Sequence, residues 1–275
     1  MFAKNFIYDD LGLDDFGFMI CTFEGSSGSE VVTAGSNITF NTVPRHRGRT
    51  HSLTGTQYDE CLQAKFSIAK NPCEYDDMKI TKDEFRDIMR WLNRNEFLEF
   101  RLIDESEYDT ETCFYRASFN IEKRLIGGLI YGIDLTLETD APFGYAEERV
   151  ITLNMEANEE YTIYDTSDEI GYIYPDMTIT CGADGELILK NISEDTETRI
   201  KGCSGGIDNN GEVITIDGST FILKSTLQSH HLYDDFNYEF FRIGNTYNRR
   251  ENVITSTLPC TLELRYRPII KDAPN

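Results

Sequence analysis

Apolar side chains in this chain mostly alternate with polar ones, and the one sustained departure lies at residues 81–93. There Phe85, Ile88, Met89 and Leu92 recur at i, i+3, i+4 and i+7, leaving Lys82, Asp83, Asp87 and Arg90 for water. That period predicts an amphipathic helix with one buried stripe. Thr81 and Glu84 have the spacing of a capping box, in which each side chain satisfies a backbone N–H left open by the first turn. Trp91, the single tryptophan, falls near the end of this helix. Its large ring fits a core or interface position better than a sugar-stacking platform.

Around the helix the period is two. Strands are expected near Phe6–Tyr8, over Phe16–Phe23 and Ile38–Val43, and over Cys61–Ala69, where Leu62, Ala64, Phe66 and Ile68 alternate with polar neighbours. Residues 25–37 and 44–56 are rich in Gly, Ser and Thr and predict loops on either side of the 38–43 strand. After the helix, Phe97–Ile103 and Thr112–Ile121 predict a hairpin across the acidic segment 104–111. Gly127-Gly128 suits a two-residue turn at positive φ, and Tyr131, Ile133, Leu135 and Leu137 resume the alternation. Pro142 and Gly144 interrupt it, which places a domain boundary at residue 146. Beyond it, turn signals at Asp184-Gly185, Asn210-Gly211 and Asp217-Gly218 separate six or seven short strands, among them Tyr238–Ile243 and Cys260–Tyr266. The expected fold is mainly β, with β-sandwich domains over 1–146 and 147–275, the first with one flanking helix and a β-hairpin, the second jelly-roll-like.

Charge narrows the function. The 275 residues include 48 acids and 26 bases, a formal −22 that both halves share. Nucleic-acid binding draws on Lys and Arg displacing counterions from phosphate, so sequence-specific nucleic-acid binding is not expected. The same charge repels anionic lipid. The seven widely spaced cysteines include no CxxC pair, which predicts reduced thiols in a protein folded in a cytosol. The N-terminus has acids where a signal peptide carries a basic segment, and no stretch has the length of a membrane span, so no membrane insertion is expected.

Candidate chemistry is sparse. Gly202–Gly206 (GCSGG) matches G-x-S-x-G around Ser204, but a nucleophile elbow needs a helix next and a hairpin pattern follows. His46, His51, His230 and His231 lie in loop-like contexts with no evident carboxylate partner. His230 and His231 with Asp234 and Asp235 read as a solvated loop rather than a metal site. Asp208–Gly211 lacks the closing Glu of a calcium loop. Glu159, Glu160, Asp165, Asp168 and Glu169 read as a solvated acidic face rather than a Ca²⁺ site. No catalytic residue, cofactor or metal is assigned. The one concentrated positive patch is Arg45, His46, Arg47, Arg49 and His51. It reads equally as an exposed loop or as one side of a contact between copies, in which Arg45, Arg47 and Arg49 meet Asp104, Glu105 and Glu107 of a neighbour.

The order of elements resembles the distal tail protein family of long-tailed phages. The resemblance rests on FIYDDLGLDDFGFMICTF, on ITKDEFRDIMRWLNRNEFLEFRLIDE, on DLTLETDAPFGYAEE, and on IGYIYPDMTITCGADGELILKNIS with GEVITIDGSTFIL, and it covers nearly the whole chain. It implies a structural virion tail protein without catalytic residues, made in the bacterial cytoplasm. It implies a ring of six copies joining the tail tube protein to a tail-tip hub or baseplate protein, with a bore that passes the tape-measure protein and then DNA. It also implies a galectin-like second domain that holds a receptor-binding protein or touches cell-wall glycan. The same protein type occurs in prophages and phage-tail-like particles. The alternative is a carbohydrate-binding adhesion module that forms no ring, motivated by Tyr161, Tyr164, Tyr172 and Tyr174.

Overall fold

The structure is a computed structural model and describes residues 5–23, 35–45, 48–103, 113–206 and 211–274. Contacts divide the chain into two units, Met1–Ala146 with Ile270–Asn275, and Glu147–Ile269.

The first unit holds β1 (Asn5–Tyr8), β2 (Leu11–Gly12), β3 (Phe18–Cys21), β4 (Ile38–Arg45), β5 (Thr50–Tyr58), β6 (Gln63–Lys70), α1 (Lys82–Leu92), β7 (Leu98–Ile103), β8 (Tyr115–Ile126), β9 (Leu129–Thr139) and β10 (Gly144–Tyr145). Seven strands form one antiparallel sheet in the order β2-β1-β7-β8-β9-β6-β3. In a flat sheet β1 and β6, four places apart, would be separated by roughly 19 Å. The rings of Phe6 and Phe66 on those strands nevertheless lie 5.7 Å apart. The sheet therefore curls onto itself, and its two halves face each other as sandwich layers do.

Helix α1 forms as its period predicts, and its buried residues are Ile88, Trp91 and Leu92. The Thr81 hydroxyl accepts the Glu84 N–H at 3.3 Å while the Glu84 carboxylate accepts the Thr81 N–H at 2.7 Å. Lys70 reaches the other Glu84 oxygen at 2.8 Å, tying the helix start to β6. Trp91 is a core residue. Its ring stacks on Phe16 at 4.5 Å and on Phe6 at 5.5 Å, and its indole N–H donates to the Tyr8 carbonyl at 2.8 Å.

One expectation fails here. Residues 50–56, expected within a loop, are part of a strand: β5 pairs with β4 from Ile38↔Tyr58 to Arg45↔Thr50. Among the described residues this two-stranded sheet joins no other strand. The strand expected at Ile38–Val43 is β4; both faces of the ribbon are largely exposed, so no alternation of apolar and polar residues marked β5.

The second unit is a two-layer sandwich. Its strands are β11 (Arg149–Met155), β12 (Tyr161–Tyr164), β13 (Gly171–Ile173), β14 (Asp176–Cys181), β15 (Gly185–Asn191), β16 (Thr196–Cys203), β17 (Val213–Ile216), β18 (Leu223–Ser225), β19 (Ile243–Asn245), β20 (Glu251–Ser256) and β21 (Cys260–Tyr266), with a four-residue helix α2 (Leu232–Asp235) before β19. One sheet runs β11-β21-β14-β17-β18 and the other β12-β20-β15-β16. Ile179 and Leu262 from the first and Leu189, Ile200 and Ile254 from the second meet in one core. Strands β11, β12, β13 and β20 were not expected from the sequence. Tyr238–Ile243, expected as a strand, is irregular up to Ile243, and Tyr238 has φ of +59°.

Candidate functional site

The β4–β5 ribbon is the least self-sufficient element of the chain. A two-stranded hairpin is marginally stable at best in water unless another surface supports it. Its register contains a bulge, with Asn41 opposite Gly55 and Thr42 opposite Leu53, so Thr54 is the extra residue. The Thr54 hydroxyl donates to the Asn41 carbonyl at 2.9 Å. Cross-strand partners share a face, which puts Ile38, Phe40 and Leu53 together on one side. All three are exposed, Phe40 at 63%. At the tip, Gly48 takes φ of +81° and Arg45 and Arg49 are exposed, in no ion pair among the described residues. Arg47, Asp104, Glu105 and Glu107, the other residues of the expected charge contact, lie outside the described residues, as does His46.

Ser204 follows β16, and its hydroxyl donates to Asp184 at 3.2 Å. An imidazole and a carboxylate do lie nearby, which corrects the reading of His230 as partnerless and solvated. His230 Nδ1 is 2.6 Å from a Glu212 oxygen, and both side chains are nearly fully buried. The same oxygen accepts the Ser225 hydroxyl, and the other accepts the Ser204 backbone N–H at 3.2 Å. His230 Nε2 faces Asp235 at 3.5 Å. Burial opposes charging the ring, but the Glu212 carboxylate outweighs it and holds the His230 pKa above its ordinary value. With Nδ1 on Glu212 and Nε2 toward Asp235, the ring is not bonded to the Ser204 hydroxyl. The cluster is a polar tie that joins Ser204 and Glu212 to Ser225 of β18, His230 and Asp235 of α2. Glu212 shares strand parity with buried Ile214 and Ile216, the one sequence signal for its inward position. No group of three or more metal-ligating side chains occurs among the described residues.

Two further expectations change. Asp165 does not belong to a solvated face: it is buried and accepts from the Ser167 hydroxyl at 2.9 Å and the Asn245 amide at 3.0 Å. The aromatic residues of the second unit extend beyond the expected tyrosines, from the surface into the core at Phe236. Rings run from Tyr174 to Phe221 to Phe240 to Phe236 to Tyr238, with centroids 4.6–5.7 Å apart. Phe221 and Tyr238 are exposed and both have positive φ, +58° and +59°, uncommon for bulky side chains. The Phe221 turn is held by Asp217, which accepts N–H groups from Ser219 at 2.9 Å and Thr220 at 2.7 Å and whose pKa falls to about 2.

Two consecutive β-rich units, the first curled around a single helix and carrying an unsupported ribbon, define the class as a β-rich two-unit scaffold. The particular family follows from comparison. The family described as "Phage tail protein N-terminal domain" matches residues 1–141, and "Phage tail C-terminal domain" matches residues 143–266. The chain belongs to this phage tail protein family and is a component of the virion tail. Its fold is similar to that of the Dit protein of phage SPP1, with a TM-score of 0.60 at 11% identity over 96% of this chain and 99% of that one. That protein is described as a paradigm of the hub adsorption apparatus in phages infecting Gram-positive bacteria. A chain of the phage p2 baseplate, in its activated conformation with Sr, gives a TM-score of 0.42 at 9% identity over 96% of this chain and 98% of that one, too slight a likeness to carry an argument. No curated protein matches the sequence.

Proposed function

We propose that the protein is a non-enzymatic distal tail component whose copies close into a hexameric ring between the tail tube protein and the tail-tip hub or baseplate. DNA would pass through the bore. The observation that carries this reading is the β4–β5 ribbon, which exposes Ile38, Phe40, Val43 and Leu53 and, among the described residues, joins no other sheet. A ribbon of this kind gains stability when a neighbouring copy covers it. Family membership supports the tail setting, and the likeness to SPP1 Dit supports the fold. The galectin-like character of the second domain belongs to this reading. Negative-stain imaging of the purified protein tests it: sixfold rings with an open centre are expected, and a strictly monomeric species at high concentration would overturn it. Ser204→Ala is expected to leave ring formation unchanged.

A second reading has its own observation. The exposed rings of Phe221 and Tyr238, held at positive φ, present flat faces of the kind on which sugar rings stack. In this reading the second unit touches cell-wall glycan. Full-length protein should sediment with purified cell walls, and Phe221→Ala with Tyr238→Ala should abolish that retention. Equal retention of the variant would exclude this surface.

A further inference from the structure

Three cysteines, Cys181, Cys203 and Cys260, lie far apart in the sequence yet share the buried core of the second unit as free thiols. Strand register explains how they meet. Cys181 ends β14, Cys260 begins β21, and the two are directly opposite each other. Cys203 ends β16 in the other sheet. Backbone hydrogen bonds draw it to the same corner. The Cys181 N–H donates to the Glu212 carbonyl at 2.9 Å, and the Glu212 N–H donates at 2.8 Å to the carbonyl of Ser204, the residue after Cys203. There the Cys181 and Cys203 thiols hydrogen-bond to each other. The Cys260 thiol turns instead to the Ser256 hydroxyl, at 3.7 Å.

Two thiols in contact across facing sheets are placed for oxidation, because a disulfide forms readily only where little backbone movement is needed. Among the described residues these thiols belong to no group arranged to hold a metal ion. Their surroundings make the pair unequal. The hydrogen bond from Cys181, helped by the Leu187 backbone, holds the Cys203 thiol below its ordinary pKa despite burial. Cys181, the donor in that bond, is pushed up. Cys203 is therefore the attacking sulfur and Cys181 the resolving one. As the last residue of β16, Cys203 needs only the opening of a strand end to meet a small reagent.

We propose that Cys181 and Cys203 are a modification site, joined in a disulfide that staples β14 to β16 once the virion leaves the reducing bacterial cytoplasm. The oxidant is a low-molecular-weight disulfide. The Cys203 thiolate attacks one of its sulfurs, forming a mixed disulfide and expelling one thiolate. Cys181 then gives up its proton and attacks the Cys203 sulfur, expelling the second thiolate. The two protein protons end on the two released thiols, so the protein loses two electrons and the reagent gains them. Free thiols suit folding in the cytoplasm, and a tie between the sheets suits the oxidising medium outside. The inference is independent of ring closure.

The test uses the full chain carrying Cys61→Ser and Cys73→Ser, which removes the two exposed thiols. Protein purified in reductant is incubated with glutathione disulfide and its peptides are mapped by mass spectrometry without reduction. One linkage is expected, between the peptides of Cys181 and Cys203, and dithiothreitol should reverse it. The oxidised protein should have a higher urea midpoint than the reduced protein, since the link restricts the unfolded chain. Adding Cys203→Ala or Cys181→Ala should abolish that difference, and adding Cys260→Ala should keep it, each variant being compared only with its own reduced form. The peptide map of the parent protein does not depend on how well any of these variants folds. A linkage of Cys181 to Cys260, or a midpoint difference that survives Cys203→Ala, would overturn the proposal. So would Cys181 and Cys203 that stay reduced, or carry only glutathione, after incubation in urea below the midpoint, where strand ends open.

Discussion

Trp91 and His230 show how far a single side chain can be placed from the sequence. Trp91 lies beside the periodic positions of α1, so its helical location was evident, but its partners were not. Phe6 and Tyr8 come from β1 and Phe16 from the 3-10 turn before β3, all more than seventy residues away. Truncation to Ala should cost about 3–5 kcal/mol, the range for a buried Trp whose site cannot collapse, read as a fall in the urea midpoint. Thr81→Ala removes one half of the capping box and should cost about 1 kcal/mol by the same measure. His230 was invisible as a buried group because Glu212 is eighteen positions earlier. Its raised pKa has a signed consequence. The folded state favours the protonated ring, so this stabilisation is fully present below the ordinary imidazole value of about 6.5 and fades as pH rises through the higher folded value. Stability should therefore decline as pH is raised above about 6.5, and His230→Gln should flatten that decline in urea titrations at several pH values.

Elements were legible in proportion to how one-sided their environment is. The helix α1 and the strands β8 and β9 each bury one face, so their patterns of 3.6 and 2 appear directly in the sequence. The ribbon is the opposite case. Thr50–Tyr58 (THSLTGTQY) has no buried face to select an alternation, and it reads as a loop until β4 pairs with it. Strands β12 and β13, of four and three residues, are too short to show a period. The lack of a buried face makes the ribbon an accessible target: Phe40→Asp is expected to leave the stability of the monomer within about 0.5 kcal/mol of wild type, as surface changes do, while reducing self-association in sedimentation.

At the scale of the whole molecule, charge and topology act differently. A formal −22 spread over both units leaves few cations to displace counterions from phosphate. Fluorescence anisotropy of labelled double-stranded DNA at physiological salt should not rise on adding the protein, and tight binding would count against the proposed passage of DNA. Among the described residues no helix is long and apolar enough to cross a membrane. What the sequence determined by itself was the β class, the single capped helix and the acidic character, because each follows from local period or from composition. The tertiary structure alone decided that the first sheet curls until Phe6 meets Phe66, that Glu212 finds His230, and that Thr50–Tyr58 pairs with Ile38–Arg45. Those are pairings between residues distant in the chain, and strand register and sheet curvature, not local propensity, choose them.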